Sequence, residues 1–142
     1  MSSTYAERLI DMHEALTGAL DAFCASPAAL VMGTRIRRFE EYESPTLPAV
    51  VVGMARLDGT EDAPYRREGD AFEPTEAQIP VWIIVPSDAR VASNLYTVLP
   101  LVMAALDDVV DAAVVSAGPG RYPSPTEQKD YPAYEVIVEY AV

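Results

Sequence analysis

Hydrophobic positions along this chain follow two rhythms, and the places where one gives way to the other outline its elements. Tyr5, Leu9, Met12, Leu16, Leu20 and Phe23 recur every three or four residues, which is one stripe of an amphipathic helix. Thr4 and Glu7 supply the two halves of a capping box at its start. Ser26-Pro27 ends it, because the residue before a proline avoids helical angles. Residues 27–33 fit a helical turn or an extended connection equally well. Residues 34–39 read as a strand with a basic face. A turn with two prolines follows, and then Ala49-Val50-Val51-Val52-Gly53-Met54, a β-branched run that predicts a strand buried on both faces.

Residues 57–75 show no periodicity and hold Gly59, Pro64, Gly69 and Pro74 among many charges. Long loops of this kind in compact domains are functional or disordered. Residues 77–85 form the strongest strand signal, with Pro80 suggesting an edge or a bulge near its start. Ser87 or Asp88 can cap a second helix carrying Val91, Leu95, Val98, Leu99, Val102, Met103 and Leu106. Pro100 is expected to kink that helix or mark a restart near Thr97. Residues 112–117 read as a strand and 118–131 as a proline-rich loop. In the last strand Tyr134, Val136, Val138, Tyr140 and Val142 fall on one face, and Glu135, Ile137, Glu139 and Ala141 on the other. This order predicts an α+β fold: one domain over residues 1–142, with two helices packed on a mixed or mostly antiparallel sheet.

Composition narrows the chemistry. A chain of 142 residues, half of them hydrophobic, can bury a core without disulfides or metal. The net charge of -12 opposes binding to a phosphate backbone, since a nucleic-acid binder needs a basic footprint. An acidic wall would still let nucleic acid pass without adhering. The single cysteine, Cys24, cannot form an internal disulfide and fits a reducing compartment. No apolar run approaches the ~20 residues needed to span a bilayer. The N-terminus lacks the pattern of a signal peptide, so a cytoplasmic site of synthesis and no membrane partner are expected.

Catalytic groupings are missing from the pattern. His13 is the only histidine and lies eleven residues from Cys24 on the same helix, too far for a nucleophile and its base. One histidine and one cysteine cannot supply a zinc site. There is no Gly-x-Ser-x-Gly, Walker lysine or Gly-x-Gly-x-x-Gly motif. Gly118-Pro119-Gly120-Arg121 reads as a turn with no helix behind it to receive a phosphate. Asp107, Asp108 and Asp111 read as a helix end entering a turn. No enzyme activity, metal or cofactor is expected.

Surface candidates remain. Arg35 and Arg37 should share one strand face, with Arg38 on the other; alternate arginines suit carboxylates across a subunit boundary, or form a solvated face. The acidic counterpart is the loop with Asp58, Glu61, Asp62, Glu68, Asp70, Glu73 and Glu76, set against only Arg66 and Arg67. Solvation alone would also account for that loop. Tyr122 and Tyr131 flank the 118–131 loop and make it a second contact candidate.

The capped first helix, the Pro48-Ala49-Val50-Val51-Val52 strand, the Ile79-Pro80-Val81-Trp82-Ile83-Ile84-Val85 strand leading through Ser87-Asp88 into a helix, and the closing Tyr131-Pro132-Ala133-Tyr134-Glu135-Val136-Ile137-Val138 strand together resemble a family. It is that of the tail terminator (tail completion, minor tail or neck) proteins of long-tailed bacteriophages. The resemblance implies a structural virion protein, assembled in the host cytoplasm as a ring, typically a homohexamer. Its implied partners are further copies of itself, the tail tube protein and the head–tail connector protein, with DNA passing through the centre without specific binding. It implies that the ring ends tube polymerisation. A neck, head-closure or tail tube subunit, or a small ligand-binding domain or enzyme, are the alternatives.

Overall fold

Capping decides where the first element begins. In a computed structural model, which describes residues 4–58, 66–68, 71–73, 76–86 and 91–141, the Thr4 hydroxyl accepts from the Glu7 N–H at 3.1 Å. The Glu7 carboxylate takes the Thr4 N–H in return, so α1 runs Tyr5–Cys24. Residues 30–35 then form a small hairpin, β1 (Leu30–Val31) and β2 (Thr34–Arg35). Its two-residue turn, Met32-Gly33, has positive φ at both positions (51° and 79°), as a tight hairpin of this kind requires. The undecided 27–33 stretch is therefore a turn at 27–28, closed by the Ala29 N–H on the Ser26 carbonyl at 3.2 Å, followed by β1 and the hairpin turn. The strand expected over 34–39 is broken at Ile36, which turns into the core at 1% exposure. β2 pairs only with β1, whereas β3 (Arg37–Glu40) joins the main sheet.

The main sheet has the order β3-β4-β8-β10-β9, with β5 (Arg56–Asp58) beside one half of β8. β4 (Ala49–Val52) is parallel to β3, and the other pairs are antiparallel, so the sheet is mixed. β8 (Glu76–Ile84) lies between β4 and β10 rather than at an edge, which corrects one of the two expectations from Pro80. The proline is tolerated because its neighbour changes there. β4 pairs with Val81–Ile84, β5 pairs with Glu76–Gln78, and Gly53 N–H donates to the Pro80 carbonyl at 2.8 Å. Within the stretch expected to lack regular structure, β6 (Arg66–Glu68) and β7 (Ala71–Glu73) form a separate antiparallel pair.

α2 runs Val91–Asp107 without interruption through Pro100, so no restart occurs at Thr97. The caps expected at Ser87 or Asp88 lie outside the described residues. The proline-rich loop is also corrected. β9 (Ala112–Ser124) and β10 (Lys129–Ala141) form one long hairpin, and the turn occupies only 125–128. Gly118, Pro119 and Pro123 sit inside β9 because β9 is an edge strand, where a missing outward N–H breaks no ladder bond.

Both helices cover one face of the sheet. Leu16, Leu20, Val98, Val102 and Leu106 pack there against Val50, Ile79, Val81, Val136 and Val138. A smaller core of Ala49, Val51, Trp82, Ile84 and Tyr122 lies on the opposite face. Period-2 alternation divides β8 and β10 between these two cores, which is what their sequences specify. The fold is α+β.

Candidate functional site

The three candidate arginines have separate fates, because the chain changes sheets between them. Arg35 belongs to β2, and its Nη1 donates to the carbonyls of Cys24 (2.7 Å) and Ser26 (2.8 Å). It therefore satisfies acceptors left open where α1 ends. Arg38 faces the helices. Its Nε donates to Asp21 Oδ1 at 2.6 Å and its Nη1 to Glu40 Oε1 at 3.0 Å, and Glu40 Oε2 lies 3.0 Å from His13 Nε2. Arg37 is exposed, and its guanidinium has no partner among the described residues. Arg35 and Arg37 thus do not share a strand face; Arg37 shares its face with Phe39, which packs against the second core. Burial and the neighbouring Asp21 push the Cys24 thiol up, which keeps it protonated and unreactive.

Tyr122 and Tyr131 are direct partners across the β9–β10 hairpin, with stacked rings 6.3 Å apart. Tyr122 is 0% exposed, lies 5.0 Å from the Trp82 ring and donates its hydroxyl to the Glu41 carbonyl at 2.9 Å. With the Ser44–Thr126 hydroxyl contact at 2.9 Å, it fastens the 41–48 crossover onto the second face. Burial, helped by Glu41 and Glu127, pushes its phenol up. Tyr131 remains partly accessible; it donates to the Glu127 carboxylate, which raises its own phenol, and the Lys129 ammonium stands 4.6 Å over its ring.

The acidic stretch is dispersed. Asp58 ends β5 opposite Glu76 in β8. Arg66 is the register partner of Glu73, Arg67 of Phe72, and Glu68 of Ala71, in the β6–β7 pair. Glu61, Asp62 and Asp70 lie outside the described residues. Among the described residues no three His, Cys, Asp or Glu side chains come together as a metal site, and no helix is long and apolar enough to cross a membrane.

A groove of about 540 Å³ on the second face escaped the sequence reading; Met54, Arg56, Pro80, Trp82, Glu135 and Ile137 help to line it. Neither Arg56 nor Glu135 has a charged partner among the described residues. Pairing β8 with β10 by their alternation would have exposed it, since Pro80, Trp82, Glu135 and Ile137 then fall on one face.

The sheet's two ends complete the surface. β3 and β9 close opposite sides of the hydrogen-bonded order. β9 carries no charge over the seven residues from Ala112 to Gly118, and Val115 there is 49% exposed. A register shift opposite Ile137/Val138 makes Val115 the extra residue of a bulge. No protein-family model matches the chain, and no curated protein matches it.

Proposed function

We propose that this chain is a structural subunit that assembles head to tail into a closed ring, as a tail terminator at the head-proximal end of a bacteriophage tail tube. The observation that carries this reading is the open mixed sheet whose two edge strands among the described residues, β3 and β9, stand at opposite ends of its hydrogen-bonded order. A ring needs two different surfaces that meet in a constant rotation, and such edges supply them. β9 is long and its first seven residues lack the charges that usually blunt a solvent-facing edge, so strand addition there is favoured. The charge of -12 is compatible with a lumen through which DNA passes without sticking. Six copies, with the tail tube protein on one side and the connector on the other, follow from the resemblance.

Native mass spectrometry over a concentration series, with negative-stain imaging, tests the ring. A single closed oligomer with a central hole is expected. Immunogold labelling of intact virions then tests the location: label at one ring where tail meets head supports the terminator role, and label along the tube makes the chain a tube subunit instead.

A further inference from the structure

We propose that β3 of one copy adds antiparallel to β9 of the next, with Arg37 opposite Gly118 and its guanidinium reaching across that glycine to Glu135. The inference deepens the ring reading above and rests on it.

Strand direction comes first. β9 is antiparallel to β10, β10 to β8 and β8 to β4, while β3 is parallel to β4. β3 and β9 therefore run in opposite directions at the two sides of the sheet. A copy placed side by side in the same orientation presents β3 antiparallel to β9. On β3 the Ile36 N–H is already given to the Ala29 carbonyl, and the Glu40 N–H and C=O are taken by Glu43, so the outward N–H and C=O of Arg38 are what continue the ladder across the junction.

Face and register come next. Arg37 projects on the second face of the sheet, the face of Phe39, Ala49 and Val51. On β9 that face carries Gly118 and Ser116, the partners of Glu135 and Ile137. Placing Arg37 opposite Gly118 puts Arg38 opposite Ala117 on the helix face and Phe39 opposite Ser116 on the second face, so each residue keeps the side it already occupies. The Val115 bulge ends the regular stretch of β9 one residue further on, which matches the four residues of β3. Pro119 bounds it on the other side.

Charge selects a second copy as the occupant. Arg37 is an exposed cation with no partner among the described residues of its own chain, and Glu135 is a half-buried carboxylate with none either. One strand separates Glu135 from the β9 edge. At the position in between stands a glycine, where an added Cβ would meet nothing within 4 Å. That gap is a passage for a long side chain, and an arginine has the reach and the fork to use it.

The test uses the full chain and sedimentation velocity from micromolar to millimolar concentration, with circular dichroism to verify the fold. Arg37→Glu and Glu135→Arg should each weaken association about tenfold, and the double exchange should restore it to within about threefold of the wild type. Gly118→Val fills the passage without touching the subunit's own interior, so it should leave the monomer folded and weaken association too. Single variants that associate like the wild type, or a double variant no better than the singles, overturn the pairing while leaving a ring built on another contact. A wild-type chain that stays monomeric at every concentration also overturns it; the tail location is then decided by the virion labelling alone.

Discussion

Arg38 and Asp21 meet at 2.6 Å between the first strand of the main sheet and the last turn of α1. The contact continues through Glu40 to His13, so two turns of the helix are tied to one strand. Asp21 is largely solvated, which limits the worth of its half of the network, while Arg38 and Glu40 are mostly covered. Arg38→Met should keep the packing of the stem and lose both bonds, lowering stability by about 1–2 kcal/mol. Asp21→Asn should cost about 0.5 kcal/mol or less, because it removes only the exposed half. Urea unfolding midpoints of the two variants give the ranking.

Gly53 stands where β4 hands its place beside β8 to β5. A Cβ at this position would lie 2.7 Å from Pro80 Cγ and 2.7 Å from Trp82 Cζ3. Neither ring can move freely, as Trp82 is wedged against Tyr122 and Pro80 is held within the sheet. Gly53→Ala should therefore destabilise by about 1–3 kcal/mol through overpacking. Trp82 is the chain's one tryptophan, so the displaced indole should also report in the emission spectrum, with thermal unfolding giving the magnitude.

Much of the frame was legible because local and global signals agree in particular residues. The Thr4/Glu7 box and the Leu9–Phe23 stripe name α1 at both levels. The alternation from Tyr134 to Tyr140 names β10 and even its buried face. The hairpin was missed because Gly118, Pro119 and Pro123 are turn residues in any local reading; only the tertiary fact that β9 is an edge makes them acceptable in a strand. The break at Ile36 was hidden for a similar reason. Arg35-Ile36-Arg37 alternates like a strand, and only the core reached by Ile36 separates the two arginines. Of the candidate surface, Arg37 lies exposed on the edge strand β3, apart from the Arg35 expected beside it. Glu135, its proposed counterpart, could not be found without knowing which strand lies beside β10.

Tyr122 should prove structural in a graded way. Tyr122→Phe keeps the ring between Trp82 and Tyr131 but leaves the Glu41 carbonyl without its donor, at a cost of about 1 kcal/mol. Amide exchange across residues 41–48 should quicken in that variant, since the hydroxyl is one of the ties holding the crossover down. Tyr122→Ala empties the centre of the second core and should cost about 3–5 kcal/mol. Equal exchange in the wild type and Tyr122→Phe would show that the crossover is held without the Tyr122 hydroxyl, by the Ser44–Thr126 contact and its apolar contacts.

Tyr140 should make the chain sensitive to alkali. Its residue is 4% exposed, its hydroxyl is buried with no hydrogen-bond partner among the described residues, and burial holds its phenol well above the ordinary tyrosine value. The unfolded chain ionises this group near pH 10, whereas the folded chain keeps it neutral. The folded state therefore binds the proton more tightly. The stability that goes with it is whole below about pH 10 and falls as the pH climbs from there toward the raised folded value. Tyr140→Phe removes the ionisable group and a buried hydroxyl with no partner among the described residues, so at neutral pH it should be neutral or stabilising by up to about 1 kcal/mol. Comparing urea midpoints at about pH 8 and about pH 11 separates the two effects. The wild type should lose more stability across that interval than Tyr140→Phe. A residual loss should remain in the variant, because Tyr122 and Tyr131 are also held above their ordinary values. Equal losses in both proteins would show that the Tyr140 hydroxyl is not sealed from solvent.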